Sequence, residues 1–128
     1  MNALVLTTLP HYIAPYIYRD SPTYTTICLL SSTLSVAWHV QGEPAGLLCH
    51  ADYLAAGAWF LADMHVAVEK GLRDRVLAVN MAILFLNLIP VGPEHYPYYH
   101  SLWHLLSAAK CCAVAYLFSV RTPAETPE

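Results

Sequence analysis

Two histidines one helical turn apart, His100 and His104, open the otherwise apolar stretch "HSLWHLLSAAK". On a helix, positions i and i+4 share a face, and two imidazoles placed so can bind one metal ion. A third histidine, His39, closes an earlier apolar stretch, "TYTTICLLSSTLSVAWHV". Three neutral imidazoles with a fourth position left to water form the arrangement of a catalytic zinc site. Zinc lowers the pKa of bound water to about 7, so hydroxide becomes available near neutral pH. Asp52, shortly after His39, is placed to take that water's proton or to hold the water by a hydrogen bond. The same spacing also suits a metal-free histidine pair that hydrogen-bonds across a helix bundle.

Neighbouring polar residues extend both faces. Ser32, Ser35 and His39 fall on one stripe; His100, His104, Ser107 and Cys111 fall on another. For these stripes to meet, long apolar helices must bring distant parts of the chain to one depth. The composition suits that: 57% of the 128 residues are hydrophobic and only 12% are charged. A soluble domain usually carries about 25% charge. The net charge of −3 argues against nucleic acid as a partner, which calls for a basic surface. Cys28, Cys49, Cys111 and Cys112 lie in apolar runs without a CxxC pair and read as buried thiols, not a disulfide framework.

The chain therefore reads as all-α, a polytopic transmembrane helix bundle of about five spans. Four are firm, at 23–40, 47–68, 75–92 and 97–120, and a short one covers 1–18. Spans of this kind need roughly 20 residues to cross a hydrocarbon core, and helices satisfy their own backbone there. The N-terminal segment lacks a basic leader and reads as a span weakened by Pro10 and Pro15, or one trimmed by truncation, not as a signal peptide. Residues 121–128, "RTPAETPE", read as a polar disordered tail.

Arg19, Lys70, Arg73, Arg75 and Arg121 fall on one side if the spans alternate, whereas the other side holds Glu43 and Glu94. The positive-inside rule then places the C-terminus in the cytosol, and the histidines toward the lumenal or extracellular face of an endomembrane or plasma membrane. Asp63 and Lys110 come to similar depths inside spans, which leaves either a buried pair or a snorkelling lysine beside an interfacial acid. Asn80 and Asn87 suit interhelical hydrogen bonds. Tyr96, Tyr98, Tyr99 and Trp103 suit an aromatic belt. Trp38 and Trp59 suit packing, and His11, His50, His65 and His95 suit span ends and loops.

The motifs "SVAWH" in an early span, Asp52-Tyr53 after it and "HSLWH" opening the last span resemble the CREST superfamily. That group includes alkaline ceramidases, adiponectin/progestin-type receptors and Per1-type GPI remodelling proteins. The likeness is greatest to the branch with myomaker and a GPI-directed phospholipase. The resemblance implies that His39, His100 and His104 are zinc ligands and that Asp52 stands beside the metal-bound water. It makes Ser35 a hydrogen-bond partner of that water or of a substrate oxygen. It also implies a seven-span fold, of which this chain would be a reduced version: one span stands where three would lie between the third and the last. A reduced enzyme, a half-open scaffold completed by homo-oligomerisation and a truncated product all follow from that difference.

Two functions are therefore expected. One is a membrane-embedded zinc hydrolase of a lipid amide or ester, with zinc-bound hydroxide as nucleophile and Asp52 and Ser35 as catalytic residues. The other is a non-enzymatic, receptor-like or membrane-remodelling bundle held by a structural metal or a His–Asp network.

Overall fold

The computed structural model describes residues 3–121, which are all-helical; of the expected tail, residues 122–128 lie outside this range, as do residues 1 and 2. The N-terminal segment is α1 (Ala3–Thr8), a 3-10 turn (Leu9–Ile13) and α2 (Ala14–Ile17). Pro10 and Pro15 fall at the starts of the last two pieces, where a missing N–H is tolerated. Four longer helices follow: α3 (Pro22–Val40), α4 (Leu47–Glu69), α5 (Arg73–Asn87) and α6 (Tyr96–Val120). Ser21 caps α3 by accepting from the Tyr24 N–H at 3.2 Å, with Pro22 in the first turn. Helix α4 ends in a Schellman turn at Gly71, whose φ of 66° suits glycine.

The expected fourth span, 75–92, is shorter in the structure. Helix α5 stops at Asn87, because Pro90 biases the residue before it away from helix and supplies no N–H. Donors on α6 reach two carbonyls in the last turns of α5: Trp103 Nε1 donates to Ile83 O at 2.9 Å and the Tyr99 hydroxyl to Leu86 O at 2.5 Å. Three of the four expected belt aromatics are thus tethers, Tyr96 by a bond to Glu43, whereas Tyr98 is exposed. Among the described residues, one helix, Tyr96–Val120, is long and apolar enough to cross a membrane. The 15 residues of α5 reach about 22 Å at ~1.5 Å per residue, short of a ~30 Å hydrocarbon core. Helix α3 is long but rich in Ser and Thr, three of which return their hydroxyl hydrogens to backbone carbonyls one turn back.

Helices α3 and α4 pack as an antiparallel pair, and α6 lies against the N-terminal segment and α5. The buried face of α6 runs His100, His104, Ser107, Ala108, Cys111, Val114, Ala115, Phe118. Its two halves differ in character. The C-terminal half joins Ala14, Tyr18, Tyr24, Cys28, Trp59, Val66 and Val76 in an apolar core, with Tyr18, Tyr24 and Phe118 meeting edge to face. This end also carries the cations: Lys70 Nζ donates to Arg121 O at 2.7 Å and lies 5.4 Å from the centre of the Tyr18 ring. The histidine-bearing half lies at the opposite end.

A polar knot divides the halves. Asp63, fully buried on α4, accepts from the Tyr24 hydroxyl of α3 at 2.9 Å and from Asn80 Nδ2 of α5 at 3.2 Å. Lys110 of α6 donates to Asp63 Oδ2 at 3.2 Å and to Asn80 Oδ1 at 2.8 Å. Of the two arrangements open for Asp63 and Lys110, the chain forms the buried pair. Removing one partner from such a pair strands a charge, at a cost of about 3–5 kcal/mol. Lys110→Met is therefore expected to lose about that much stability in denaturant unfolding of detergent-solubilised protein. Adding Asp63→Asn should recover most of the loss; a single variant as stable as wild type would remove the pair from what holds the bundle.

Candidate metal centre

His39 stands in the last turn of α3, and His100 and His104 stand in the first turns of α6. Because α3 and α6 present these ends at the same face of the bundle, all three rings meet. One nitrogen from each lies within 4.8 Å of the others, and all three residues are buried. His39 Nε2 and His104 Nε2 are 2.8 Å apart. The ring centroids of His39 and His100 are 5.5 Å apart, and those of His100 and His104 are 4.6 Å apart. At its other nitrogen, His39 Nδ1 is 2.9 Å from Glu43 Oε1.

The residues fit a metal by their chemistry. Neutral imidazole suits zinc, copper, iron and nickel. His104 Nδ1 is buried with no hydrogen-bond partner among the described residues, so this ring is not fully satisfied by the protein around it. Two ligands at ~2.0–2.1 Å from one ion in tetrahedral array stand roughly 3.3 Å apart. The His39–His104 pair would open by about half an ångström to admit such an ion.

Asp52 and Ser35 line the same cavity as the three histidines. Asp52 is buried in the second turn of α4, with Ser35 near its carboxylate. Asp52 stands outside the 4.8 Å group, so the structure separates it from the three rings that could share one ion. The cavity has a volume of about 550 Å³ and continues from the histidines to Asn80 and Lys110. Its walls between these ends are mostly apolar, with Trp38, Phe60, Ile83 and Trp103 among them. Ala56, Gly57, Leu84 and Leu88 also line it and are exposed, so it opens along the α4–α5 flank.

One participant departs from its expected place. His11, read as a residue of a span end or loop, is buried with its ring centroid 5.9 Å from that of His104 and perpendicular to it. Its Nδ1 is 2.9 Å from the Thr8 carbonyl. It lies on the buried face of the N-terminal segment with Leu4, Thr8, Ala14 and Tyr18. These residues recur every three or four positions, so the inward face was present in the sequence as a helical stripe. His50, His65 and His95 are exposed, in keeping with the expectation.

Purified protein is expected to carry about one divalent metal per chain by elemental analysis, and His104→Ala to carry none. His11→Phe, which keeps an aromatic edge against His104 but removes the imidazole, should retain the metal. Loss in both variants would mean that the cluster extends beyond three ligands. Comparison with protein-family models, with characterised proteins and with solved structures finds no match to this chain.

Proposed function

We propose that this chain is a membrane-embedded hydrolase that holds a zinc ion between His39, His100 and His104 and cleaves an amide or ester bond of a lipid. The convergence of three buried imidazoles within 4.8 Å carries this reading. The mostly apolar cavity beside them suits an acyl chain, and its opening along α4 and α5 suits entry from the side.

The outer surface supports a bilayer setting for the whole bundle. Leu47, Leu54, Leu61 and Val68 recur every seven residues on α4 and are between 60% and 87% exposed. Exposed apolar surface of this extent marks a membrane or a partner. With the cationic end at the cytosol, the histidines lie toward the lumenal or extracellular side and the C-terminus is cytosolic. A substrate would then enter from the outer leaflet.

A bound zinc ion would supply a nucleophile at neutral pH and polarise the scissile carbonyl. Asp52 would take the proton released by the attacking water and return it to the leaving nitrogen or oxygen. Ser35, on the same cavity wall, would donate its one hydroxyl hydrogen to the substrate oxygen as charge builds on it. The apolar walls would exclude bulk water and strengthen these interactions.

The direct 2.8 Å contact between His39 Nε2 and His104 Nε2 favours a second reading, a non-enzymatic bundle in which the histidines hold α3 to α6.

Asp52→Asn separates the two. It is expected to keep its metal and to lower hydrolysis of ceramide or phosphoglyceride in proteoliposomes by about 10²–10⁴-fold. Stripping the metal with a chelator should abolish that activity, and added zinc should restore it. Fully metallated wild-type protein that cleaves neither lipid would leave the structural reading standing.

A further inference from the structure

Helix α3 ends in a Schellman turn: the Glu43 N–H donates to Trp38 O at 3.1 Å and the Gly42 N–H to His39 O at 3.2 Å. This motif asks for one left-handed residue, which Gly42 supplies at φ 77°. Glu43 is left-handed as well, at φ 60°, where a residue with a Cβ is disfavoured. Trp38 Nε1 donates to Pro44 O at 3.0 Å and pins the loop in this shape.

The left-handed turn folds the Glu43 side chain back over the end of α3. Glu43 Oε1 meets His39 Nδ1 at 2.9 Å, and Oε2 accepts from the Tyr96 hydroxyl at 2.9 Å. The Tyr96 ring stacks on His100, with centroids 5.0 Å apart and planes 18° from parallel. One carboxylate thus touches His39 directly and reaches His100 through Tyr96, joining α3 to α6 beside the histidines.

A carboxylate at Nδ1 decides which nitrogen of His39 carries the hydrogen. Nδ1–H donates to Glu43, and the Nε2 lone pair then faces His104. Carboxylate–histidine pairs of this kind orient metal ligands and raise their basicity. We propose that Glu43 is a positioning residue of the metal centre: it presents His39 Nε2 as a ligand and, through Tyr96, sets the tilt of His100. The proposal rests on the metal-bound reading above.

Its strain makes the proposal testable apart from folding. Glu43→Gly removes the carboxylate and places glycine where the backbone favours it. The metal-free variant is therefore expected to melt at or above the wild-type temperature, while its dissociation constant for Zn2+, measured against a chromophoric chelator, rises about 10–100-fold. Glu43→Gln, which keeps both contacts without the charge, should fall between the two. The visible absorption of bound Co2+ should shift in both variants. A Glu43→Gly protein that binds Zn2+ as tightly as wild type would overturn the positioning role and leave the metal centre intact. A wild-type protein that binds neither ion would overturn the metal centre and this role with it.

Discussion

The buried carboxylate of Asp63 governs the arrangement, because it draws a partner from each of the other three long helices. A lone charge at that depth would cost several kcal/mol, so α3, α5 and α6 are held to rotations that bring Tyr24, Asn80 and Lys110 to it. A helix turns as a rigid body. The rotation fixed at Lys110 is therefore inherited by His104, about 9 Å away along the same axis at ~1.5 Å per residue. The knot that neutralises Asp63 also aims the histidines inward.

The two halves of the bundle are built for different ends. On the cationic side, Val66, Val76, Val114, Ala115 and Phe118 close on one another with Tyr18 and Tyr24. On the other side the same inward faces carry imidazole, hydroxyl and carboxylate groups around a cavity. Polar groups grouped on one face in this way forgo tight apolar packing. The close-packed half supplies the rigidity that lets the open half persist.

Much of this was legible in the primary structure. The stripes Ser32–Ser35–His39 and His100–His104–Ser107–Cys111 read true, since helical periodicity depends only on spacing and both line the cavity. Depth counting along antiparallel helices also foretold that Asp63 and Lys110 could meet. Two features resisted. His11 sits on the buried stripe Leu4, Thr8, His11, Ala14, Tyr18, but the two prolines made the segment read as a weakened span whose histidine marked an end. Glu43 read as one acidic loop residue of two, because its place depends on a left-handed φ that sequence rarely betrays outside glycine. The early end of α5 carried its signal in Pro90, but the bonds from Tyr99 and Trp103 that hold its last turns come from a distant helix.

The sequence distance within the knot bears on how the chain is made. Asp63 precedes Lys110 by 47 residues. At roughly 5–20 residues per second, a ribosome needs a few seconds to deliver that counter-ion after the acid has emerged. Until then the acid must stay hydrated, so α4 waits in contact with water or a chaperoning partner. The helix that brings the lysine is the one that lets α3, α4 and α5 close.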